Sequence, residues 1–419
     1  MRLELRWSDV DDVVPSTTTR LSGKRLEIDL EALGRLLSVD ERLVDIRLDL
    51  AHPGERCRIG RVFDVVAPRA RLDGEDFPGV LGGVARVGDG RTLALAGVAV
   101  VTTDQQMDSV GTLAVIDMVG PTAALSAFGA THNLVISAWP ASGTGRTEYL
   151  AAMRIAALRA AVVLARAARE VDPDRVEVFA LPPSPRVSAE LAHLPRVAYV
   201  FQIHSHQRPT GVDEGILYGD PVRRMLPTVI HPNEVLDGAV LRGFMGRSVT
   251  TWATQNHPVV RALYAEHGRT LWFAGVVVTV AQATEPERVR SAFLSAGLVA
   301  HTLGADGAVF TKIGGGAPHV DMAQAASQCE ALGVRTTLLV EDMSTDGSAD
   351  GMLLFDLPGV DALVNVGSSH EPLTLPAMDR MVGADDLAAR LLRETRATYG
   401  MLCGAIEQVG STRIMAEVR

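Results

Sequence analysis

The sequence predicts an α/β protein made of two unlike parts. Short segments rich in β-branched and aliphatic residues, separated by Gly, Pro and Asp, fill residues 1–145 and predict a β-rich N-terminal domain. Over residues 191–419, strand-like apolar runs alternate with helical segments, which is typical of an α/β domain with a largely parallel sheet. A helix and a proline-rich linker over residues 146–190 connect the two parts.

The N-terminal domain and the connection are predicted from local patterns. The strand candidates before residue 146 are RLEIDL, LVDIRLDL, TLALAGVAVVTT and NLVISAWP. The segment TEYLAAMRIAALRAAVVLARAAREV (147–171) is rich in Ala and Arg and carries apolar residues at helical spacing, so it predicts a long helix. Three close prolines in LPPSPRVS (181–188) resist both helix and central strand, which predicts a linker.

The C-terminal domain is predicted to be a layered, Rossmann-like sheet with covering helices. Its strand candidates are continuous apolar runs that suit strands buried on both faces, namely VAYVFQI, LWFAGVVVTV, GAVFTKI, RTTLLVE and DALVNVG. Between them, residues 286–304 and 319–333 read as helices, each ended by Gly. Residues 384–408 (ADDLAARLLRETRATYGMLCGAIEQ) predict a long closing helix.

Composition restricts the class of function. A chain of 419 residues that is 47% hydrophobic and 21% charged can bury a large core. The net charge of −10 argues against nucleic-acid binding, which normally needs a basic face. The sequence contains no run of about 18 apolar residues, and its first residues, MRLELRWSDVDD, lack the apolar core of a signal peptide. We therefore expect a cytoplasmic protein that binds neither nucleic acid nor membrane.

Lysine is scarce in this chain. Of 40 basic residues only Lys24 and Lys312 are lysines, so a Schiff-base mechanism that uses a lysine amine has two candidates. Lys24 lies in the polar turn LSGKRLE, whereas Lys312 ends the apolar run GAVFTKI just before three glycines. Lys312 has the better position of the two.

The cysteines are widely spaced. Cys57, Cys329 and Cys403 form neither a CxxC pair nor a metal-ligand cluster, and in a reducing cytosol they need not be bonded. We expect exposed thiols. Arg56 and Arg58 flank Cys57 and are expected to lower its thiol pKa, which makes a catalytic thiol at Cys57 one hypothesis.

Several segments occur in the order and at the spacing of one known family. A PGE turn, an apolar run and an FPG turn follow one another in HPGERCRIG (52–60) and FDVVAPRARLDGEDFPGVLG (63–82). The further collinear segments are GRTLALAGVAVVTTD (90–104), VIDMVGP (115–121), EVDPDRVEVF (170–179), LPRVAYVF (194–201), LPTVIHPNEVLDGAV (226–240), NHPVVRALYAEHG (256–268) and LPAMDRMVG (375–383). By this collinearity the chain resembles the proprotein subunit of component B of glycine, sarcosine and betaine reductases.

The segment LDGAVLRGFMGRSVTTWATQNHP (236–258) resembles the self-cleavage segment of that family but departs from it at the cleavage position. In the family an Asn-Cys pair stands there, and the cysteine becomes a pyruvoyl group that captures amine substrates. Here the aligned residues are Gly243, Phe244, Met245 and Gly246. Cleavage needs a side chain that attacks the preceding carbonyl and then eliminates, which neither Phe nor Met supplies. The resemblance therefore implies the family scaffold with the pyruvoyl group absent.

The polar residues that follow the altered position are the first site candidates. Ser248 is an alternative pyruvoyl precursor, because serine serves as that precursor in other enzymes, but it follows Arg247 and lies outside the aligned position. These hydroxyl residues either line a polar pocket or are ordinary loop residues, and the sequence leaves both readings open. The candidate catalytic residues are Ser248, Thr250 and His257; the candidate substrate contacts are Phe244, Met245, Thr251 and Asn256.

A second candidate is the pair His204 and His206 in QIHSHQ, at the end of a predicted strand. Side chains two apart on a strand point to the same face, so both imidazoles could hold one divalent metal or one anion. Such a metal would stand in for the lost carbonyl electrophile. The sequence fixes no third ligand; the residues of suitable chemistry are Asp213, Glu214, His231 and His257.

A third candidate is the glycine-rich loop in KIGGGAPHVD (312–321), which follows a strand and opens a helix. Free backbone N–H groups at a helix start can hold an anion, and the carboxyl edge of a parallel sheet is the usual ligand site. The loop matches neither GxGxxG nor a Walker sequence. Gly314, Gly315 and Gly316 are therefore either substrate contacts or a structural turn.

The family resemblance implies a function class. In the family this subunit binds an amino-acid-like substrate, and a partner subunit with a selenocysteine or cysteine attacks the substrate carbon and cleaves a C–N bond reductively. We therefore expect an oligomeric, substrate-binding subunit that acts on a small molecule with a thiol- or selenol-bearing partner. The alternatives are a non-catalytic scaffold subunit and a stand-alone metal-assisted enzyme that uses His204 and His206.

Overall fold

The computed structural model of the protein describes residues 1–107, 113–182, 191–205, 215–242, 249–344, 359–410 and 415–416. Its strands are numbered β1 to β23 and its α-helices α1 to α8 in chain order. Most of the predicted linker at 181–188 lies outside the described residues. Within them, no helix combines the length and the apolar character needed to cross a lipid bilayer.

The N-terminal part consists mainly of short strands, as the sequence predicts. The first twelve are β1 (Arg2–Asp9), β2 (Asp12–Pro15), β3 (Arg20–Ser22), β4 (Arg25–Ile28), β5 (Leu43–Ala51), β6 (Cys57–Ile59), β7 (Val62–Val66), β8 (Arg69–Arg71), β9 (Gly90–Ala96), β10 (Val98–Thr103), β11 (Ile116–Asp117) and β12 (His132–Pro140). The sequence analysis missed one helix among them, α1 (Leu30–Leu37). Asp29 caps this helix by accepting the Ala32 N–H at 2.8 Å.

Two four-stranded sheets hold this part together, with strand orders β5-β12-β10-β7 and β13-β1-β9-β8, where β13 is Arg175–Ala180. The predicted long helix is α2 (Arg146–Arg166), which packs against strands of both sheets. Alanines such as Ala152, Ala156 and Ala160 are almost wholly buried along it. Because these side chains are small, the helix lies close to both sheets, and all three form one apolar core.

The C-terminal part contains the predicted parallel sheet. The strands of this C-terminal part are β14 (Arg196–Ser205), β15 (Thr228–Ile230), β16 (Trp272–Ala281), β17 (Gly307–Thr311), β18 (Arg335–Val340), β19 (Ala362–Asn365), β20 (Pro372–Leu375), β21 (Arg380–Val382), β22 (Thr395–Thr398) and β23 (Met415–Ala416). Seven of them form the order β15-β16-β14-β17-β18-β19-β23. The five inner strands are parallel, and β15 and β23 are antiparallel edges. The α/β fold class is confirmed.

Helices cover this seven-stranded sheet. They are α3 (Pro232–Leu236), α4 (Thr251–Gln255), α5 (Pro258–Glu266), α6 (Glu285–Gly297) and α7 (Ala317–Ala331), whereas the single-turn α8 (Ala388–Leu391) packs near β21. The predicted helices at 286–304 and 319–333 correspond to α6 and α7, although α6 ends early at Gly297 and a π-helical turn follows at Leu298–Thr302. On β14, Val200 packs with α6 and α7, whereas Tyr199 and Phe201 pack on the opposite face.

The long closing helix predicted at 384–408 is wrong. The chain forms only a 3-10 turn at Asp385–Leu387 and the single-turn α8, then β22, then a 3-10 turn at Tyr399–Met401. Backbone groups that a helix would use internally pair elsewhere, because Val115 donates to Met401 O and Cys403 donates to Val115 O, both at 2.8 Å. Gly404 has a φ of +77°, which an α-helix does not allow.

Strand pairing also joins segments that are distant in sequence. Strand β1 pairs antiparallel with β13, and β6 pairs parallel with β21. The first pairing crosses the expected boundary at residue 145 and the second crosses both that boundary and the one at residue 190, so part of the C-terminal segment packs on an N-terminal strand. The division into 1–145, 146–190 and 191–419 stays a prediction.

Candidate functional site

The carboxyl edge of the seven-stranded sheet gathers polar side chains. Strands β17 and β18 end at Thr311 and Val340, and the residues directly after them are Lys312 and Glu341, both buried. The turn that contains Gln408 packs against this edge from the C-terminal segment. The carboxyl ends of parallel strands are the usual ligand site of such sheets.

These residues form one hydrogen-bonded chain. Lys312 Nζ donates to Gly314 O at 2.8 Å, and the Gly314 N–H donates to Gln408 Oε1 at 2.7 Å. Gln408 Nε2 then donates to Glu341 Oε2 at 2.6 Å. The set of Lys312, Gly314, Glu341 and Gln408 is called the edge network below. The glycine-rich loop therefore belongs to a buried, hydrogen-bonded polar site. Its role in substrate binding stays a prediction.

Glycine is required in this loop for conformational reasons. Gly314 and Gly316 have φ values of +85° and +75°, a region that side-chain-bearing residues rarely adopt. The loop connects β17 to α7, as the sequence predicts, and Gly316 is the N-cap of that helix. Gly315 lies between them in the same turn.

Thr250 lies in the predicted altered cleavage-site loop at 242–255, of which residues 242–251 are called the altered segment below, and it connects this segment to the edge network. Its hydroxyl donates to Glu407 Oε1 at 3.0 Å, and Glu407 directly precedes Gln408. The same oxygen accepts the Ala253 N–H at 3.1 Å and so caps α4. Thr250 and Glu407 are both buried. Two of the three sequence-predicted constellations are thus brought together through residues 407–408.

Asp64 of β7 clamps the two ends of the altered segment. The Arg242 N–H donates to Thr251 Oγ1 at 3.2 Å, and Thr251 Oγ1 donates to Asp64 Oδ2 at 2.6 Å. The Thr251 N–H also donates to Asp64 Oδ1 at 2.9 Å. Thr251, predicted as a substrate contact, therefore has a hydroxyl that is already engaged in closing the segment. The predicted residues Phe244, Met245 and Ser248 lie outside the described residues.

In the described part of the chain, neither His257 nor Asn256 is hydrogen-bonded directly to the edge network, although Tyr199, the partner of His257, also bonds Thr311, the residue before Lys312. His257 is fully buried, its Nε2 lies 3.0 Å from Tyr199 Oη, and burial lowers the pKa of the ring to about 3. The imidazole therefore stays neutral at physiological pH. Asn256 accepts from Arg69 Nη2 at 2.8 Å and donates to Trp252 O at 2.9 Å. Their predicted roles in catalysis and substrate binding stay predictions.

The structure describes only His204 of the proposed metal-binding pair. His204 is buried near the end of β14, and His206 lies outside the described residues, as do Asp213 and Glu214. His231 does not reach His204: Ile230 pairs with Val276 of β16, whereas His204 pairs with Val280, about 13 Å further along the strand. In the described ranges, no group of three or more His, Cys, Asp or Glu residues is placed to hold a metal ion.

The predicted reactive thiol at Cys57 is wrong, and so is the expectation of exposed thiols. Cys57, Cys329 and Cys403 are all buried. Burial raises the pKa of the Cys57 thiol to about 11 and outweighs the opposite effect of Arg380. The neighbouring Arg58 side chain is bonded to Asp117 instead.

Sequence reasoning missed Asp64, Glu341, Glu407 and Gln408. Glu341 had a usable signal, because it is the last residue of the predicted strand RTTLLVE, at the edge where ligands bind. Glu407 and Gln408 were assigned to the closing helix, which hid their role. Asp64 is more than 180 residues from its partner Thr251, and no local pattern connects them.

A buried polar cavity lies behind this edge, between the sheet and helices α6 and α7. Its polar lining includes Gln202, Thr279, Ser295, Thr311 and Asp321. Burial raises the pKa of Asp321 to about 6, although the Gln282 N–H at 2.6 Å and Arg288 Nε at 3.2 Å both favour the charged form.

Replacing Asp321 by asparagine is expected to stabilise the protein at neutral pH. The folded-state pKa is raised, so the contribution of Asp321 to stability is fully present below pH 4 and is lost as pH rises through 6. Asparagine keeps the acceptor for Gln282 without the buried charge, and the gain above pH 6 should be about 1–3 kcal/mol. Urea unfolding at pH 4 and pH 7.5 measures it. A variant that is less stable than the parent at pH 7.5 would contradict this expectation.

Comparison with known proteins gives one family. A sequence model described as glycine/sarcosine/betaine reductase component B subunits matches residues 1–413. The glycine reductase complex component B subunits alpha and beta of Acetoanaerobium sticklandii are 32% identical over 389 residues, covering 91% of this chain and 89% of the relative. The sarcosine and betaine reductase complex component B subunits alpha of Peptoclostridium acidaminophilum are each 31% identical, over 94% and 93% of this chain and 91% and 89% of their own lengths. No solved structure matches.

Proposed function

The chain belongs to the glycine/sarcosine/betaine reductase component B family, and on that basis we propose that it is the substrate-binding subunit of a reductase-type complex that works without a pyruvoyl group. Its substrate is a small amino-acid-like molecule. A partner subunit supplies the thiol or selenol that attacks the substrate carbon, in reductive cleavage or related carbon–heteroatom chemistry. The relatives are named as parts of glycine, sarcosine and betaine reductase complexes, which supports a protein partner.

The residues at the altered position do not fit a pyruvoyl group. That group arises from a side chain that attacks the preceding carbonyl and then eliminates, and Phe244 and Met245 have no heteroatom suited to this. No step of the proposed function therefore passes through it. Betaine has a quaternary nitrogen that cannot form a Schiff base, so amine capture is not a chemical requirement for every substrate of this type.

The edge network is the observation that supports a binding role. Thr250, at the end of the altered segment, is bonded to Glu407, and the next residue, Gln408, bonds Gly314 and Glu341. A buried set of polar groups at the carboxyl edge of a parallel sheet is where a small polar ligand is expected. It lies beside the segment that carries the family's reactive group.

The test is to purify the tagged full-length protein from its native organism and to measure its intact mass and its co-purifying proteins. We expect one uncleaved chain of 44.6 kDa together with a thiol- or selenol-bearing partner. A family member that carries the Asn-Cys pair, handled in parallel, is the control for cleavage. Two fragments of the chain would disprove the pyruvoyl-free proposal, and a chain that elutes alone would disprove the complex.

Turnover of the reconstituted complex with Thr250→Val distinguishes a substrate-binding subunit from a scaffold subunit that has no role in turnover. This change removes the bond to Glu407, and we expect turnover to fall about tenfold or more, because a fixed polar group beside the substrate is lost. Thr254→Val is the matched control, since Thr254 is equally buried in α4 but its hydroxyl, within the described ranges, bonds only Thr250 O, at 3.3 Å. Unchanged turnover with Thr250→Val would point to a scaffold.

A further inference from the structure

Lys312 is the buried amine of the edge network, and the proposed function assigns no chemical step to it. It is one of two lysines in the chain, and its side chain is 0% exposed, whereas the side chain of Lys24 is 50% exposed. Its position follows directly from the fold, because it is the first residue after β17 at the carboxyl edge of the sheet. Buried lysines are uncommon, since an ammonium group without a charged partner is costly to desolvate.

The hydrogen bonds of Lys312 do not satisfy an ammonium group. Such a group has three N–H donors, and in the described part of the chain Lys312 Nζ has one acceptor, Gly314 O at 2.8 Å. The nearest carboxylate, Glu341, is occupied elsewhere: Oε2 accepts from Gln408 Nε2 at 2.6 Å and Oε1 from the Ser369 N–H at 3.1 Å. Lys312 thus has a carboxylate nearby but forms no ion pair with it among these residues.

The charged groups around Lys312 do not compensate for its burial. Burial lowers the pKa of Lys312 to about 8, and Glu341 opposes this only in part. His319 of α7 is also close, and its pKa is lowered to about 3 by burial and by Lys312, so it is neutral. Glu407, the acidic residue directly before Gln408, is bonded to Thr250. The amine of Lys312 therefore loses its proton more readily than that of an exposed lysine.

We propose that Lys312 Nζ is a covalent docking point for a small carbonyl compound, a 2-oxo acid or an aldehyde, which it binds as an imine. The geometry that points to this is that the amine has one hydrogen-bond acceptor among the described residues and is buried in the edge network between the glycine-rich loop and Glu341. The nitrogen lone pair attacks the carbonyl carbon to give a carbinolamine. Loss of water, formed from the carbonyl oxygen and two hydrogens, leaves the C=N bond. No oxidant or reductant takes part.

This inference goes beyond the proposed function and does not depend on it. The family's electrophile captures amines, whereas a lysine amine has the opposite polarity and captures carbonyl compounds. The site is a property of the isolated chain and needs no partner subunit. The two ideas can therefore fail separately: the mass of the chain and the co-purifying proteins test the first, and a chemical adduct on one residue tests the second.

The test is reductive trapping. The folded full-length protein is incubated with glyoxylate and cyanoborohydride at pH values from 6 to 9, and the modified residues are mapped by peptide mass spectrometry. We expect a carboxymethyl group on Lys312 that saturates with glyoxylate concentration. The yield should rise with pH and level off above about pH 8, because the uncharged amine is the nucleophile.

Two variants serve as controls. Lys24→Arg removes the exposed lysine and should leave the Lys312 adduct unchanged, and Lys312→Met should abolish the saturable adduct. If Lys312→Met fails to fold, mapping of the wild-type chain still decides the question. Modification confined to Lys24 and the N-terminal amine, or modification of Lys312 only after unfolding in urea, would overturn the proposal.

Discussion

Replacing Asp117 by alanine is expected to destabilise the protein by about 3–5 kcal/mol, because it leaves the buried Arg58 guanidinium without its carboxylate. Both side chains are 0% exposed, and Arg58 Nη2 lies 2.9 Å from Asp117 Oδ2. Arg58 also donates to Pro376 O at 2.9 Å and to Leu391 O. The pair therefore holds the C-terminal segment against β6 and β11, and urea or thermal unfolding measures its loss.

Two controls accompany this prediction. Asp379→Ala removes the carboxylate of the nearby pair Arg56–Asp379, whose side chains are 57% and 71% exposed, and should cost less than about 1 kcal/mol. The double variant Arg58→Met with Asp117→Leu should lose less stability than Asp117→Ala, because no uncompensated charge remains. A change of less than about 1 kcal/mol for Asp117→Ala would show that Arg58 finds another partner.

Replacing Asp64 by alanine should both destabilise the protein, by about 3–5 kcal/mol, and abolish turnover of a reconstituted complex. Asp64 is 1% exposed and accepts from the Thr251 N–H and hydroxyl, so it anchors the altered segment. It also faces Arg154 and Arg242, two fully buried guanidiniums whose pKa values burial lowers and Asp64 raises. Its removal takes away their shared negative charge. Unfolding and turnover are measured on the same preparation.

The matched control is Thr251→Val, which removes one hydroxyl of the clamp but keeps the carboxylate. It should cost about 1–3 kcal/mol, since the buried Arg242 N–H and Asp64 Oδ2 lose their partner. Asp64→Asn keeps the shape and one acceptor and should lie between the two. A destabilised Asp64→Ala chain that retains full turnover would show that anchoring of this segment does not matter for the reaction.

The sequence predicted the regular elements well where burial follows a simple period. Strands β14 and β16 are long apolar runs, and helix α2 has a strong alanine pattern, so local preference and tertiary environment agree. The closing segment at 384–408 shows the opposite case. Its helical pattern loses to long-range pairing, because the Leu391 and Pro376 carbonyls accept from Arg58 and Val115 pairs with residues 401–403.

The residues of the candidate site also divide into those that local patterns predicted and those that depended on tertiary packing. The glycine-rich loop and Thr250 were predicted because each follows or precedes a recognisable local pattern. Cys57 was misjudged because its neighbours in sequence, Arg56 and Arg58, point to other partners, and burial then decides its pKa. Charge near a thiol lowers its pKa only if the charge faces it, and side-chain direction is a tertiary property.

By itself the sequence determined the family, the α/β class, the identity of residues 243–246 and the scarcity of lysine, since each is a matter of residue identity or of a local period. Only the tertiary structure decided that Lys312 is buried beside Glu341 and that residues 407–408 connect Thr250 to Gly314. It also decided that Asp64 closes the altered segment. The physical reason is that these contacts join residues up to 187 positions apart, and desolvation and hydrogen-bond geometry exist only after the chain has packed.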